Sequence, residues 1–514
     1  MGSVKRLWGV VLVALTAGCG SATGGADDPG PPDRVLLETQ GATSVSAPSL
    51  AMNDDGVALV VWAQSDGTYD HVWSCQYTRE TGWSTAQAIE GYEGTRVWGL
   101  PQVAIDAEGN GLAVWTLDDG DGTDGDVWAS RYTHGTGWST AERIESDRAG
   151  LPQEPRIAMD TGGDALVTWW VAGDGTGVWA NRFESAKGWQ TAEQLATEGY
   201  YVQPAVNSRG DAMVVYMISV GTSVTLGSTL FGKRHVAGTG WAEASVIETT
   251  VVPGLDAEDY GTVTAPTLAS PQVTLAADGT ALAAWTYVGH PLMGIKWARS
   301  PAEDGWGLVV PPADPTMPGD GAATPQLFGN LTGDAVAAWT PQGFYNGAGG
   351  VPSRRYHPSS GWGEVEYLQG NGTDRAGTPH LAGSTLGSFI AVWTRADETQ
   401  RELWFNRFEP STGWGTAASI ATGEIYDPQA AIDGSGNALV VWRRADGDRL
   451  DLLAQAFPTE EARIQVGRRL THGGATWHML EDAKCEFLPR SDDIQRARNL
   501  LAAEAWEAAS DRQE

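Results

Sequence analysis

The chain has 514 residues, of which 64 are acidic and 33 are Lys or Arg, so its formal net charge is -31. This excess of negative charge repels phosphate backbones and excludes nucleic acid as a partner. The length fits two to four ordinary domains or one large repetitive domain. The 66 Gly and 24 Trp residues favour short strands separated by tight turns over a helical bundle.

Residues 1–18 have the pattern of a secretion signal. Two basic residues precede an apolar run from Leu7 to Leu15, which is too short to span a bilayer as a helix. Thr16–Cys19 resembles a bacterial lipobox, which implies lipid attachment to the Cys19 thiol and cleavage before it. Several acyl chains on one residue anchor a protein stably. We therefore expect a lipid-anchored membrane protein; an ordinary signal with a chance cysteine is the alternative.

Residues 19–33 follow as a stretch rich in Gly, Pro and Asp, which predicts a flexible tether. Gly20, rather than Asp, comes directly after the cysteine. By resemblance to enterobacterial sorting, this choice implies the outer membrane. The sequence does not indicate whether the protein faces the periplasm or the cell surface.

A repeat then fills most of the chain. Eight copies are marked by a proline, at Pro48, Pro101, Pro155, Pro204, Pro271, Pro325, Pro379 and Pro428. Each copy has a turn glycine, at Gly56, Gly109, Gly163, Gly210, Gly279, Gly333, Gly387 and Gly436. Six residues after each glycine stands an aromatic residue: Trp62, Trp115, Trp169, Tyr216, Trp285, Trp339, Trp393 or Trp442. Agreement at one offset in eight copies identifies a structural repeat.

The residue types within one copy predict a four-stranded sheet. In seven copies a short polar residue stands three residues before the turn glycine; Ala276 is the exception. Such a residue opens a type I turn and glycine supplies the positive φ that closes it. Apolar segments flank this turn, a third segment alternates large and small residues, and seven copies then carry a Gly-Trp pair and a fourth segment.

Four-stranded units repeated around a ring are typical of a β-propeller. We predict an all-β, eight-bladed propeller over residues 34–458, with four antiparallel strands per blade; seven blades and one misread unit is the alternative. The eighth copy lacks a Gly-Trp pair, and the segment RVLLETQ, Arg34–Gln40, is expected to complete its sheet. Closure of this kind removes free strand edges.

The pattern PxVAxDxxGNAxAVW, followed by an Arg-Tyr strand and Gly-Trp, resembles a group of bacterial exported and lipoprotein propellers. The resemblance covers about four fifths of the chain. It implies architecture, broadly that of sialidase-like and NHL-like propellers, and little about function. The repeat departs from sialidase Asp boxes and from quinone-type repeats in the spacing between Gly and Trp.

Two sets of residues are candidates for ligand contacts. The aromatic series after the turn is expected to pack between blades, whereas the Trp of each Gly-Trp pair could either pack or stack on a ligand: Trp83, Trp138, Trp189, Trp241, Trp306, Trp362 and Trp414. Five carboxylates in one variable loop are candidate calcium ligands, although a solvated acidic loop explains them too: Asp118, Asp119, Asp121, Asp124 and Asp126. No cofactor is required.

The repeat stops at residue 459, and residues 459–514 predict a tail with one amphipathic helix that begins near Ser491. Cys75 and Cys485 could form a disulfide or remain separate thiols. A metal site built from His472, His478 and Cys485 matches no standard ligand spacing.

The sequence contains no HExxH, GxSxG, Walker or dinucleotide-binding motif. We therefore expect an anchored envelope protein whose propeller binds a protein or a glycan without chemistry of its own. Two alternatives are an assembly scaffold for envelope proteins and a carbohydrate-active enzyme. Loops that vary between copies, above all those between the second and third strands, are the better candidates for ligand contacts, and the sequence does not indicate which face of the propeller binds.

Overall fold

A computed structural model describes residues 34–459 except for 40–41, 43, 91–95, 119–123, 146–149, 173–175, 223–224, 254–266, 290–291, 303–304, 308, 310–323, 341–349, 370–374, 397–400 and 448. Every regular element in these residues is a β-strand, and the strands form eight sheets. The fold is therefore the predicted eight-bladed β-propeller. The signal, the tether, Cys19 and the tail after residue 459 lie outside the described residues.

The first four blades contain one strand or strand pair for each predicted segment. Blade 1 contains β2 (Ser44–Val45), β3 (Ser49–Met52), β4 (Ala58–Ser65), β5 (Asp70–Thr78), β6 (Gly82–Trp83) and β7 (Gln87–Ala88). Blade 2 contains β8 (Arg96–Ile105), β9 (Gly111–Asp118), β10 (Gly125–Thr133), β11 (Gly137–Trp138) and β12 (Glu142–Arg143). Blade 3 contains β13 (Pro152–Met159), β14 (Ala165–Val171), β15 (Gly177–Glu184), β16 (Gly188–Trp189) and β17 (Glu193–Ala196). Blade 4 contains β18 (Tyr200–Val206), β19 (Ala212–Thr222), β20 (Thr225–Val236), β21 (Gly240–Trp241) and β22 (Ser245–Pro253).

Blades 6 and 7 repeat this order, whereas blades 5 and 8 each contain three strands of their own within the described residues. Blade 5 contains β23 (Thr267–Leu275), β24 (Ala281–Gly289) and β25 (Leu292–Ser300). Blade 6 contains β26 (Pro325–Gly329), β27 (Ala335–Trp339), β28 (Pro352–His357), β29 (Gly361–Trp362) and β30 (Glu366–Tyr367). Blade 7 contains β31 (Arg375–Ala376), β32 (His380–Gly383), β33 (Phe389–Ala396), β34 (Arg401–Glu409), β35 (Gly413–Trp414) and β36 (Ala418–Thr422). Blade 8 contains β37 (Ile425–Ile432), β38 (Ala438–Asp446) and β39 (Arg449–Phe457).

The first strand, β1 (Arg34–Leu36), closes the ring as predicted. It pairs antiparallel with β39, with Arg34 opposite Gln455 and Leu36 opposite Leu453. The sheet order is therefore β1-β39-β38-β37. Because the two ends of the repeat share one sheet, β1 covers the edge of β39 that the eighth copy would otherwise leave unpaired.

The core lies between neighbouring blades. The aromatic residues that follow the turn glycines are at most 4% exposed: Trp62, Trp115, Trp169, Tyr216, Trp285, Trp339, Trp393 and Trp442. Trp115 of blade 2 packs with Leu59 and Val61 of blade 1, and Trp169 of blade 3 packs with Val114 of blade 2. One large side chain per blade thus fills each gap between sheets, as the sequence predicts.

The turns that join the first two long strands of each blade share one geometry, and we call this side of the ring the turn end. All eight turn glycines have a φ between +79° and +90°. In seven blades the opening polar side chain accepts a hydrogen bond from the backbone N–H four residues later, as in Asn53 to Val57 (2.9 Å). Only a residue without Cβ adopts this φ at no steric cost.

The proline marker has one exception. In seven blades the proline stands eight residues before the turn glycine, but Pro204 stands only six residues before Gly210. The equivalent position in blade 4 is Val202. The marker at Pro204 is therefore displaced by two residues, although the blade itself is present as predicted.

Candidate functional site

A channel runs through the centre of the ring. Its two halves are a cavity of about 700 Å³ toward the turn end and a cavity of about 560 Å³ at the opposite end, which we call the mouth. Residues of all eight innermost strands line the larger half. His380 lines both halves and marks the level where they meet.

A ring of polar side chains lines the mouth. Each blade contributes the residue that follows the proline marker or its equivalent: Ser49, Gln102, Arg156, Gln203, Gln272, Gln326, His380 and Gln429. Five of the eight are glutamines, whose amides can both donate and accept hydrogen bonds. This ring was not among the predicted site residues, although the recurring Pro-Gln pair was a visible signal in the sequence.

The innermost strands are irregular directly before this ring. Their pairing register shifts in five blades, for example between Gln153 and Arg156 and between Tyr426 and Gln429. Within the described ranges, four residues other than glycine have a positive φ, and all four lie two residues before a ring position: Glu154 (48°), Tyr201 (51°), Ser270 (49°) and Asp427 (46°). Bulges of this kind redirect side chains and are frequent beside binding sites.

The glutamine amides are only partly used within the protein. The Nε2 atoms of Gln102 and Gln272 each donate to the carbonyl oxygen of the preceding proline, at 3.0 Å. Among the described residues, the Oε1 atoms of these two side chains accept no hydrogen bond. The ring therefore retains capacity to accept hydrogen bonds from a ligand.

The imidazole of His380 is neutral at the centre of the channel. The backbone N–H of Ala430 donates to its Nδ1 (3.1 Å), so the ring proton lies on Nε2. Burial lowers the pKa of His380 to about 4 because the charged form loses hydration. At neutral pH His380 is thus a hydrogen-bond donor without charge.

In blades 2 and 4, exposed aromatic side chains lie on the same innermost strands as the ring residues of the mouth. Trp98 is 38% exposed and Tyr201 is 44% exposed, and both lie on the irregular part of an innermost strand. Nε1 of Trp98 donates to Oε1 of Gln153 in blade 3 (3.1 Å), and Tyr200 holds Tyr201 edge-on at 5.1 Å. These contacts fix the two aromatic faces on either side of blade 3.

The Trp of each Gly-Trp pair lies elsewhere. These pairs follow the third strand at the turn end, and in six blades the indole packs against an aromatic residue of that strand, as in Tyr132–Trp138 at 5.3 Å. All seven are half-buried: Trp83, Trp138, Trp189, Trp241, Trp306, Trp362 and Trp414. Their role in ligand stacking stays a prediction.

The candidate calcium ligands fall partly outside the described residues, which omit Asp119 and Asp121. Asp118 is buried, Asp124 accepts a hydrogen bond from the Gly150 backbone (2.6 Å), and Asp126 pairs with Arg143 (3.4 Å). In the part of the chain that the structure describes, no cluster of three or more His, Cys, Asp or Glu side chains could hold a metal ion.

Cys75 is buried against the closing segment, with its Sγ 3.9 Å from the carbonyl oxygen of Leu37. Burial raises the pKa of its thiol to about 12. Cys485, His472 and His478 lie outside the described residues, so the disulfide and the metal site stay predictions. No helix within the described ranges is long and apolar enough to cross a membrane.

The fold and its channel define the chain as an eight-bladed β-propeller. No model of a known protein family matches the sequence, and no curated protein matches it. The resemblance to exported lipoprotein propellers therefore extends to the propeller fold and the repeat architecture alone.

Several solved propeller structures are similar at low identity. A protein of unknown function from Dyadobacter fermentans is 11% identical with a TM-score of 0.38, covering 83% of this chain and 97% of its own. A lectin from Burkholderia pseudomallei is 13% identical with a TM-score of 0.44, covering 74% and 100%. An α-L-arabinofuranosidase from Fusarium graminearum is 11% identical with a TM-score of 0.36, covering 82% and 97%. At these scores the similarities carry no argument about function, which rests on the site.

Proposed function

We propose that this protein binds a glycan at the mouth of its channel and does not transform it. The observation that carries the proposal is a ring of five glutamine amides flanked on the same side by exposed aromatic faces. Amides match the paired donor and acceptor character of sugar hydroxyls, and aromatic faces cover the apolar faces of sugar rings. A few fixed polar groups in a concave site are the general form of small-ligand pockets.

The acidic groups at the mouth favour binding over catalysis. Among the described residues that line it, the only carboxylate is Asp427, to which Nε of Arg443 donates at 2.9 Å. Glycoside hydrolysis by the usual routes needs two carboxylates that face one bond. A single carboxylate held by an arginine supplies neither a free acid nor a free base, so the enzymatic alternative has no support at this site.

The proposal includes attachment to the membrane through Cys19, with residues 19–33 as the tether. Such an anchor would hold the propeller in the cell envelope within reach of envelope glycans or proteins. The test is fractionation of cells that express the full chain or Cys19→Ser. We expect the full chain in the outer-membrane fraction and the variant in the soluble exported fraction; equal distribution would contradict the anchor.

Glycan binding is tested with an array followed by isothermal titration of any hit. Trp98→Ala and Gln272→Ala should each weaken binding about tenfold, since each removes one stacking face or one amide. Leu386→Ala is the matched control, because Leu386 is 68% exposed but lies in a tight turn at the turn end. An array without a hit, or a hit that is weakened by Leu386→Ala and not by the mouth variants, would contradict the proposal.

A further inference from the structure

Arg156 is the ring residue of blade 3, and its guanidinium has no partner. The Nε atom is buried and makes no hydrogen bond. Among the described residues, no side chain or backbone group forms a hydrogen bond or an ion pair with any of its three nitrogens. The side chain nevertheless lines the mouth of the channel.

The other charges at the mouth are neutralised within the protein. Asp427 is held by Arg443, and Arg401 lies 3.9 Å from Glu424 with its guanidinium over the Tyr426 ring at 5.4 Å. His380 is uncharged at neutral pH. Arg156 is therefore the one charged side chain among the described residues that line the mouth that makes no hydrogen bond or ion pair within the protein.

An unpaired charge in this position is costly for the fold. Burial lowers the pKa of Arg156, against the opposing effect of Glu154, but a guanidinium stays charged in proteins. The buried Nε–H has no acceptor in place of water, which destabilises the folded state, although the side chain as a whole is half-buried. The backbone adds to this cost, because Glu154 directly before Pro155 has a φ of +48°. Both costs are offset when an anion accepts from the guanidinium.

The groups around Arg156 indicate which kind of anion it binds. One cation stands among neutral amides, in a protein whose net charge of -31 repels multiply charged ligands. A planar, singly charged carboxylate matches one guanidinium in charge and in its two-point geometry. Blades 2 and 4, which flank blade 3, present Trp98 and Tyr201 on either side of this position.

We propose that Arg156 binds the carboxylate of an acidic saccharide, such as a uronic acid, at the mouth of the channel. This inference rests on the proposed glycan binding and narrows its ligand class. The guanidinium donates two hydrogen bonds to the carboxylate oxygens, the glutamine amides contact the ring hydroxyls, and the aromatic faces of blades 2 and 4 cover adjoining sugar units.

The experiment is isothermal titration of the full chain with glucuronate, glucose and acetate as probes. Glucuronate should bind at least about tenfold more tightly than glucose, and Arg156→Gln should abolish this preference. Arg156→Lys should restore part of it, since lysine keeps the charge and loses the two-point contact. Arg96→Gln is the matched control and should change nothing, because Arg96 is an exposed cation at the same end that faces Asp70 at 3.8 Å.

Thermal unfolding without ligand separates binding from a structural role. Removal of a half-buried cation that makes no hydrogen bond should leave the unfolding midpoint of Arg156→Gln unchanged or higher. A lower midpoint would overturn the inference, because the guanidinium would then support the fold.

The failure of this inference differs from the failure of the proposed function. Glucose and glucuronate that bind equally, with dependence on Trp98 and none on Arg156, would overturn the carboxylate site and keep glycan binding. Acetate that binds through Arg156 while neither sugar adds affinity would overturn the saccharide as ligand and the proposed function with it.

Discussion

The two ends of the ring are built from the same strands but use their polar side chains differently. At the turn end, the opening polar side chain of seven blades hydrogen-bonds within its own turn. Some of these side chains also join neighbouring blades: Nδ2 of Asn53 donates to the carbonyl of Ala107 (2.8 Å), and Arg79 pairs with Asp433 (2.6 Å). At the mouth, the strands bulge, four residues adopt a strained φ, and Arg156 has no partner. The turn end uses its polar groups within the fold, whereas the mouth leaves them open.

This difference separates stability from binding. The core and the turn end stabilise the closed ring. The mouth can therefore tolerate a strained backbone and an unpaired charge without unfolding of the protein. If the division holds, substitutions in the core and at the turn end should lower the free energy of unfolding, and matched substitutions at the mouth should not. Four measurements test this, in order of expected effect.

The largest effect is expected for the inter-blade core. Trp115→Ala should lower the free energy of unfolding by about 3–5 kcal/mol, because it leaves a cavity between blades 1 and 2. Denaturant titration measures this loss. Trp98→Ala at the mouth is the control and should cost less than about 0.5 kcal/mol, since an exposed surface residue contributes little. Similar losses in the free energy of unfolding for the two variants would contradict the proposed difference between the core and the mouth.

The second measurement compares two aspartates of one blade. Asp433 at the turn end is buried and pairs with Arg79, and its Oδ1 accepts from the Asn437 backbone at 2.9 Å. Asp433→Ala should cost about 3 kcal/mol. Asp427→Ala removes an exposed ion pair with Arg443 at the mouth and should cost about 1 kcal/mol or less. Equal losses in the free energy of unfolding, measured by denaturant titration, would show that the mouth stabilises the ring as much as the turn end does.

The third measurement uses pH. Glu38 lies in the closing segment near the mouth end of β39, where the Leu452 backbone donates to its Oε2 (2.7 Å). Burial raises the pKa of Glu38 from its ordinary 4.5 to about 7. The native state therefore binds more protons than the unfolded state between pH 4.5 and 7, and the contribution of Glu38 to stability falls as pH rises through this window.

Glu38→Gln should thus match the parent protein at pH 4 and be more stable at pH 8, by on the order of 2 kcal/mol. The amide oxygen of the variant can still accept from Leu452. Exposed Glu142→Gln serves as control and should show no such pH-dependent gain. A Glu38→Gln protein that is less stable than the parent at pH 8 would mean that the carboxylate stabilises the closure.

The fold could be predicted from the sequence because every blade requires the same residue types at the same positions. A glycine with a positive φ and an aromatic residue between blades are required in every copy, so eight copies agree at Gly56 and Trp62 and their equivalents. The closing strand was found by the same logic, since Arg34–Leu36 supplies the segment that the eighth copy lacks.

The site was harder to predict because it depends on departures from the repeat. The bulge before Arg156 has no residue signature, and the exposed Trp98 stands beside a register shift in β8 rather than at a repeat position. The prediction favoured variable loops without choosing a face of the propeller, and the tryptophans that it marked, those of the Gly-Trp pairs, lie at the turn end. The recurring Pro-Gln pairs were the available signal, with Ser49, Arg156 and His380 in place of glutamine in three blades.

The smallest expected effect tests the strain itself. Ser270 precedes Pro271 in blade 5 with a φ of +49°, a region in which a side chain is disfavoured. Ser270→Gly should raise the free energy of unfolding by about 0.5 kcal/mol, because relief of strain of about 1 kcal/mol is partly offset by the greater freedom of glycine in the unfolded chain. Ser270→Ala keeps the strain and should give no gain. If Ser270→Gly lowers the free energy of unfolding, the positive φ at Ser270 does not strain the backbone. The bulges at the mouth would then contribute no strain energy that ligand binding could offset.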